Sequence, residues 1–427
     1  MKVYIIGVDA GRSGGLLASP YMEKELRVLG YEVEQLPVRD ISSLRRALLA
    51  GAQPQSLILC PLVDKVQADS ACIQAIAELC GQQLAFSEDV AHQLEKRGHL
   101  AAEEAQRLAL LPEGARVFPC RQSLFPGFEV AGDSFHIVAL PSDAEEQTSL
   151  FFSYLFQVLS KTSTVSCHSR VLRVMELEPE QAEEALRDLL EAQSPCVAIY
   201  QKRSELIIRI SDSSANRQQA AERCNSVMRT IVQRLGTHVY GIDVNGIEHA
   251  LALKCAKKNI RLAFAESGSA GLAAKRFHHV DPEGQLICSE YSCQPEEMDL
   301  EKLGINDKIG KKFGPVSANV AAAMALGCSS QQEKDVLGLS ISLPNAAFKT
   351  RKGYVAAVLN KVCLMQELDA GDYHSLSQMP SDAAARLFNL ARKLVDSFPS
   401  APEGSCDAEE AVLEGMGVVP GVAALSV

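Results

Sequence analysis

Short apolar runs alternate with helically spaced apolar positions along residues 1–160. Three runs are typical of buried strands: residues 2–8, 31–38 and 56–60. After the first run, Met22, Leu26 and Leu29 recur at the spacing of one helix face, and residues 68–79 fit a further helix. Strands and helices that alternate with short connections imply right-handed crossovers and a parallel sheet covered on both faces. The pattern therefore predicts a doubly wound α/β domain.

Three local signals refine this first domain. Asp40 lies where its carboxylate can cap a helix that carries Leu44 and Leu48. Residues 128–140 alternate between apolar and polar positions on both sides of a Gly-Asp pair, which predicts a hairpin and hence an antiparallel addition to the sheet. The Ser/Thr-rich stretch 160–169 is typical of a domain boundary.

Residues 170–243 have the order β-α-β-β-α-β. A strand over 171–177 and a helix over 178–193, with an acidic first turn, open this segment, and a long helix is predicted over 216–235. Such an order is typical of a split βαβ or KH-like module. KH domains that grip RNA use a GXXG loop, and none occurs in this segment. We therefore expect a small α+β connector rather than an RNA-binding module.

The remaining chain shows a second α/β pattern and then a tail. Strands are predicted over 261–265, 336–342 and 354–359, and helices over 248–258, 272–277, 317–326 and 381–398. Residues 399–427 hold Pro, Gly, Ser, Glu and Ala with few large side chains, which is typical of a flexible tail. The chain is thus predicted to contain two α/β domains joined by the connector.

Composition and charge narrow the class of protein. The 427 residues are 47% hydrophobic and 22% charged, as in ordinary globular proteins. No run of about 18 uncharged apolar residues occurs, and the apolar core of the first segment is too short for a signal peptide, so neither membrane nor export is expected. The net charge of −11 argues against a nucleic-acid partner. Thirteen cysteines without a CxxC pair indicate reduced thiols in the cytoplasm, with no metal site.

A glycine-rich turn, DAGRSGG at residues 9–15, follows the first predicted strand. Glycines there would allow backbone N–H groups to approach an anion at the start of a helix. The dinucleotide fingerprint GxGxxG is absent, so a flexible connection is the alternative and the favoured interpretation.

A second turn, AESGSAG at residues 265–271, lies between a predicted strand and a predicted helix. Ser267 there could act as a nucleophile if a base lay beside it, with helix N–H groups steadying an oxyanion. The alternative, which spacing alone favours, is that Ser267 or Ser269 only caps the helix. Ser317, in the turn GPVS before the Ala-rich helix, could likewise be an N-cap or a substrate contact.

These motifs resemble those of the CinA competence/damage-inducible family. AES-x-[ST]-x-G after a strand, a Tyr-Ser pair, a G-x-V-S turn and an Ala-rich helix resemble its C-terminal amidase-type domain. LPEGARVFPC and FPGF, within residues 111–128, resemble its molybdopterin-binding-like first domain, and HVYGID at 238–243 resembles the end of its KH-like connector. The resemblance implies three domains in the family's order, at 1–160, 170–243 and 244–398.

The family resemblance implies an activity at each end of the chain. In the family, the C-terminal domain hydrolyses the amide of nicotinamide mononucleotide to nicotinic acid mononucleotide and ammonia. Some first domains are metal-dependent ADP-ribose pyrophosphatases. From the family's AESCTGG, YSNEAK and GAVS motifs, catalytic roles fall on Ser267 and Tyr291 and substrate-binding roles on Glu266, Ser269, Gly271 and Ser317. The resemblance thus implies a cytoplasmic homo-oligomer that binds a pyridine nucleotide and needs no cofactor.

The chain departs from the family pattern at both predicted sites. The lysine of YSNEAK is replaced by Glu296, so Ser267 lacks its basic partner, and the glycine-rich turn TGIAGP reads SISLPN at 340–345. In the first domain, the family's GTE and GGLGPTKDD motifs are not kept, and Asp9 and Asp69 are the remnants of their pocket. No pyrophosphatase activity is therefore expected. Two hypotheses remain: a Ser267 amidase, and a non-catalytic nucleotide-binding or scaffold protein. The loss of both motifs favours the second.

Overall fold

The computed structural model describes residues 1–8, 20–96, 105–106, 108–120, 123–163, 165–202, 204–214, 216–330, 335–345, 348, 350–372, 378–398 and 425–426. The chain divides into two compact units. One comprises residues 1–170, 178–203 and 207–231, and the other comprises residues 171–177, 204–206 and 232–427. The predicted connector therefore contributes residues to both units.

The first predicted domain contains alternating strands and helices. Its strands are β1 (Lys2–Val8), β2 (Glu32–Val38), β3 (Ser56–Pro61), β4 (Leu84–Phe86), β5 (Leu110–Pro112), β6 (Arg116–Phe118), β7 (Gly127–Ala131) and β8 (Phe135–Leu140). Its helices are α1 (Pro20–Val28), α2 (Ile41–Gly51), α3 (Val66–Leu79), α4 (Glu88–Lys96), α5 (Ala144–Leu150) and α6 (Phe156–Thr162), with a π-helical turn at Phe151–Leu155 before α6. The predicted cap of α2 is confirmed, because the Asp40 carboxylate accepts the Ser43 N–H at 2.7 Å.

Six of these strands form one sheet in the order β2-β1-β3-β8-β7-β6. The first four are parallel, and β7 and β6 are added antiparallel. Successive residues of β1 face opposite sides, since Val3 and Ile5 belong to one apolar cluster and Tyr4 and Ile6 to another. The predicted doubly wound sheet with an antiparallel addition is confirmed.

The connector contains a four-stranded sheet. Its elements are β9 (Ser166–Met175), α7 (Pro179–Ala185), α8 (Arg187–Glu191), β10 (Cys196–Lys202), β11 (Glu205–Ser214), α9 (Arg217–Leu235), a 3-10 turn (Gly236–His238) and β12 (Val239–Ile242). The strand order is β10-β11-β9-β12. The order of strands and helices along the chain agrees with the predicted KH-like module.

Two details of the connector differ from the prediction. The predicted helix over 178–193 is two helices, because the backbone of the buried Leu186 leaves the helical range at φ −116°. The first strand begins at Ser166, inside the stretch predicted as a boundary. Hydroxyl side chains there find partners on a neighbouring strand, since Arg209 Nη2 donates to Ser169 Oγ at 3.0 Å.

The C-terminal segment is a second α/β layer. Its strands are β13 (Arg261–Ser267), β14 (Ile287–Cys293), β15 (Val336–Ser342), β16 (Lys352–Leu359), β17 (Val362–Asp369) and β18 (Leu425–Ser426). Its helices are α10 (Ile247–Lys258), α11 (Leu272–His278), α12 (Lys308–Phe313), α13 (Ala318–Ser330) and α14 (Met379–Ser397), with 3-10 turns at Pro295–Glu297, Leu300–Leu303 and Ala370–Asp372. Of the predicted tail, residues 399–424 and 427 lie outside the described residues.

The sheet of this segment has the order β14-β13-β15-β16-β17-β18. Its first three strands are parallel, and the others are antiparallel to their neighbours. Side chains of α10, α11 and α14 pack on one face, and side chains of α13 pack on the other. The strand predicted over 261–265 continues to Ser267, so the candidate serine lies in the strand and not in the turn after it.

Candidate active site

The carboxyl ends of β14, β13 and β15 meet at one edge of the C-terminal sheet. In-register pairing aligns Ser267, at the end of β13, with Cys293 on one side and with Ser342 on the other. Parallel strands in register direct paired side chains to the same face, about 4.8 Å apart from strand to strand. The three side chains therefore form a row at the edge where open α/β sheets bind ligands.

Ser267 is fully buried at the centre of this row. Its carbonyl oxygen accepts the Leu343 N–H at 2.9 Å, which fixes the backbone. Its hydroxyl has no hydrogen-bond partner within the described part of the chain. A buried hydroxyl without a partner is costly and uncommon, so this oxygen needs an explanation. The predicted nucleophile is present at a strand end, but none of the described residues accepts a hydrogen bond from its hydroxyl.

Glu266 points to the opposite face of the sheet and caps α11. Its buried carboxylate accepts hydrogen bonds from Ser269 Oγ at 2.6 Å, from Ala273 N at 3.1 Å and from Ala274 N at 2.9 Å. These are the helix N–H groups that the amidase hypothesis assigns to an oxyanion, and an internal carboxylate occupies them. Substrate contacts are predicted for Glu266 and Ser269. In the structure, both side chains instead form hydrogen bonds within the protein.

The glycines of the turn allow close packing of the chain. Gly268 has φ +80°, and a side-chain carbon added there would overlap the carbonyl oxygen of Leu343. Gly271 has φ +69° at the start of α11, and an added carbon would contact Ser292 Oγ at 3.5 Å. Both positions thus need glycine for backbone conformation, and Gly268 also for a neighbouring loop.

Lys275 is the basic residue of α11 closest in sequence to Ser267. Its Nζ donates to the Ala270 carbonyl oxygen at 2.7 Å. The amine is thus bonded to the turn, and no bond to the Ser267 hydroxyl is formed. The basic partner that is missing from the sequence motif is not supplied by this lysine.

Tyr291 lies on the same sheet face as Ser267 and is half-buried. Its phenol oxygen accepts the Asp299 N–H at 3.1 Å. Burial raises the pKa of Tyr291, so the phenol keeps its proton near neutral pH. The protonated phenol therefore has a proton to donate at this edge and does not act as a base.

Serine hydroxyls near α13 are engaged within the protein. Ser317 caps α13, since its Oγ accepts the Val320 N–H at 3.3 Å and donates to the Gly314 carbonyl at 3.2 Å. Ser342 Oγ donates to the Pro315 carbonyl at 3.3 Å. Of the two roles considered for Ser317, the structure shows the N-cap.

A hydrogen bond crosses the strand ends above the buried serine. Asn345 Nδ2 donates to Glu296 Oε1 at 2.7 Å. Asn345 follows β15 and Glu296 follows β14, and β13 with Ser267 lies between these strands. Sequence reasoning identified Glu296 only as a replacement for a lysine, because the pairing depends on strand order, which the sequence pattern did not reveal.

The remnants of the N-terminal pocket are only partly described. Asp9 lies outside the described residues. Asp69 is buried in α3, where its carboxylate accepts the Val63 N–H at 2.8 Å and the Lys65 N–H at 3.1 Å. Burial raises its pKa to about 6. Asp69 therefore holds the loop between β3 and α3.

Among the described residues, no group of three or more His, Cys, Asp or Glu side chains is arranged to hold a metal ion. In the same residues, no helix is both long and apolar enough to span a membrane.

Comparisons with known proteins match two of the predicted segments directly. The model of the damage-inducible protein CinA KH domain matches residues 169–241, and that of the CinA C-terminal domain matches residues 244–342. A competence-damage inducible protein of Caldicellulosiruptor saccharolyticus is 27% identical over 76% of this chain and 81% of that protein. Its counterpart in Caldicellulosiruptor bescii is 26% identical over 88% of this chain and 95% of that protein. A solved CinA structure from Thermoplasma acidophilum aligns with a TM-score of 0.33 at 19% identity, over 37% of this chain and 97% of that chain.

The matched segments follow the order that the motifs predict. The connector match precedes the C-terminal match, and both relatives align along most of their own length. The mixed α/β architecture agrees with this order. Residues 169–241 and 244–342 thus match the KH and C-terminal domains of the CinA family.

Proposed function

We propose that the C-terminal domain binds a pyridine mononucleotide at the strand ends that carry Ser267, and that it has lost the hydrolytic step. The amidase-type pocket would then persist as a binding site. Nicotinamide mononucleotide is the expected ligand, because the C-terminal domain of the family that the chain resembles hydrolyses the amide of this nucleotide.

The isolated hydroxyl of Ser267 carries this proposal. A serine attacks a carboxamide carbon efficiently only when a neighbouring group removes its proton. Ser267 Oγ has no partner within the described residues, the Lys275 amine is bonded to Ala270, and the Tyr291 phenol is protonated. The nucleophile thus remains without the group that would activate it.

The position of the row supports ligand binding. Ligands of open α/β sheets bind outside the carboxyl ends of the strands. The start of α13 lies beside the same edge, because Ser342 at the end of β15 bonds to Pro315 before α13. The positive end of a helix of this length favours an anionic group such as a phosphate.

The N-terminal domain is proposed to have a structural role. Asp69 occupies the N–H groups of Val63 and Lys65, and Glu146 Oε2 accepts both the N–H and the hydroxyl of Ser123, at 2.9 and 2.7 Å. A phosphate cradle needs such N–H groups free. Internal carboxylates that hold them argue against a pyrophosphate ligand there.

Ammonia release from nicotinamide mononucleotide tests the loss of hydrolysis, and calorimetry tests binding. Wild type, Ser267→Ala and the matched control Ser340→Ala are compared, since Ser340 is also fully buried in this sheet but bonds to Ala321 of α13. We expect heat of binding and no ammonia above background. Turnover by wild type that Ser267→Ala abolishes and Ser340→Ala retains would establish the amidase instead. Absence of both turnover and binding would leave a scaffold.

A further inference from the structure

The hydrogen bond between Asn345 and Glu296 spans the end of β13. Cys293 and Ser342 are both paired in register with Ser267, and Glu296 and Asn345 each lie three residues further along their own chain segment. The bond, 2.7 Å long, therefore joins the two flanking strands just beyond the buried serine. Since ligands of open α/β sheets bind outside these strand ends, the Glu296 carboxylate lies at the border of the proposed binding site.

The chain that follows β14 passes along the sheet face to which Ser267 points. Tyr291 is on this face, two residues before the partner of Ser267 in register, and its phenol oxygen accepts the Asp299 N–H at 3.1 Å. Leu300 packs in the same apolar cluster as Tyr291. Glu296 therefore belongs to a segment that returns to the face of the buried hydroxyl.

The Ser267 hydroxyl is an independent sign that a polar group of a ligand belongs at this face. It is fully buried, and no hydrogen-bond partner for it lies in the described part of the chain. Buried polar groups in folded proteins nearly always have a partner, and an atom of a ligand can supply it. Because the Glu296 carboxylate does not bond to this hydroxyl, it acts on a ligand through its charge.

Glu296 brings an exposed negative charge to this border. Its carboxylate accepts from the neutral amide of Asn345, and it forms no ion pair with any described residue. The Asp299 carboxylate differs, because it accepts the Glu301 N–H at 3.1 Å and lies 3.8 Å from Lys302 Nζ. A carboxylate that is held by a neutral donor keeps its charge, so it attracts a nearby cation and repels a second carboxylate.

We propose that Glu296 is a specificity-determining residue of this site, which favours a pyridinium ring with a neutral carboxamide over the same ring with a carboxylate. The inference rests on the proposed function, because it takes a pyridine mononucleotide as the ligand. Nicotinamide mononucleotide and nicotinic acid mononucleotide share the cationic ring, the ribose and the phosphate. They differ by one negative charge, which the Glu296 carboxylate repels.

Calorimetric titration of the full chain with each nucleotide tests this assignment. We expect wild type to bind nicotinamide mononucleotide about ten-fold more tightly than nicotinic acid mononucleotide, as for two like charges close together near a protein surface. Glu296→Gln keeps an oxygen that accepts from Asn345 but removes the charge, so its two affinities should become nearly equal. Glu297→Gln removes the same charge from the next residue, which is also exposed, and should keep the preference of wild type.

The possible outcomes separate this inference from the proposed function. Equal binding of the two nucleotides by wild type would overturn the role of Glu296 and leave the proposed binding site in place. A preference that persists in Glu296→Gln, or that Glu297→Gln reduces as much, would also overturn this role. If wild type bound neither nucleotide, the proposed function would fail and the inference with it.

Discussion

Glu266 illustrates how one buried carboxylate organises a turn. It accepts three hydrogen bonds, from one side chain and two backbone N–H groups. In Glu266→Gln, the side-chain amide nitrogen takes the place of one carboxylate oxygen. That nitrogen cannot accept the hydrogen bonds that the oxygen accepts in the wild type, so a buried donor loses its partner. We therefore expect the free energy of unfolding to fall by about 2 kcal/mol, as for a buried donor left unpaired. Urea titration followed by circular dichroism measures the change.

Glu290→Gln is the matched control for Glu266→Gln. The Glu290 carboxylate is 42% exposed and contacts His278 Nε2 at 2.6 Å on the surface. Exposed ion pairs contribute less than about 1 kcal/mol, so this variant should unfold almost as wild type does. Equal losses in the two variants would show that the bonds to Glu266 do not contribute to stability.

Two features of the position of Gly268 each disfavour any residue type with a side chain. Its φ of +80° disfavours a side chain, and the Leu343 carbonyl oxygen fills the space that a side-chain carbon would need. Gly284 has φ +64° but open space around it. We expect Gly284→Ala to cost about 1 kcal/mol through backbone strain alone, and Gly268→Ala to cost clearly more. Similar unfolding midpoints in urea for the two variants would show that the close approach to Leu343 is relieved without cost.

At the scale of elements, the loop between β3 and α3 depends on a single buried acid. Asp69 has a pKa of about 6 in the folded protein against 3.8 for an unperturbed aspartate, because burial disfavours its charge. A pKa raised by folding means that the native state binds the extra proton. The contribution of Asp69 to stability is therefore complete below pH 3.8 and is lost as the pH rises through 6.

Asp69→Asn removes this titration. We expect the difference in unfolding free energy, wild type minus variant, to fall by up to about 3 kcal/mol from about pH 4 to about pH 7. Urea titrations at several pH values measure it, and taking the difference cancels the titration of all other groups. A difference that stays constant over this range would show that Asp69 does not titrate in it.

The elements that the sequence pattern predicted are those with a clear apolar period. β1, β2, β3 and the hairpin of β7 and β8 follow from apolar runs and a turn pair. β14 was not predicted, because every residue of ICSEYSC is half-buried or exposed. β17 was missed for the same reason, since most of its residues are half-buried or exposed. Strands with few buried residues thus leave a weak signal in a single sequence.

The candidate site was predictable in its residues but not in their contacts. The motif placed Ser267, Glu266 and Tyr291 in one region, and the structure places all three at or near the ends of β13 and β14. The role of Glu266 as a helix cap depends on which sheet face it points to, and a shift of one residue in the strand end reverses that face. The hydrogen bond between Tyr291 and Asp299 also depends on β14, which the pattern did not reveal.

At the scale of the whole molecule, five apolar clusters formed by described residues each lie within one of the two units. Two clusters, around Ile6 and around Val3, belong to the first unit, and three, around Phe264, Met324 and Ala325, belong to the second. Cooperative unfolding follows shared cores, and multidomain proteins commonly depart from a two-state transition. We therefore expect the two units to unfold as distinct calorimetric transitions.

A buried ion pair links α1 to β11 within the first unit. Arg209 Nε lies 3.3 Å from Glu25 Oε1, and Ser211 Oγ donates to the same oxygen at 2.9 Å. The Arg209 guanidinium also lies over the Phe156 ring, 4.2 Å from its centroid. Removal of one partner leaves a buried charge unpaired, which costs about 3–5 kcal/mol. The pair therefore makes the packing of β11 on the first domain sensitive to a single side chain.

Glu25→Ala and Glu266→Gln together test the independence of the units. Each variant acts in a different unit, so Glu25→Ala should lower one calorimetric transition by roughly 10 °C and leave the other in place. Glu266→Gln should lower only the second transition. Glu23→Ala, in the same helix as Glu25 but in a surface pair with Arg27, should move neither by more than a few degrees. If Glu25→Ala and Glu266→Gln lowered one common transition, the two units would have to share their cooperative core.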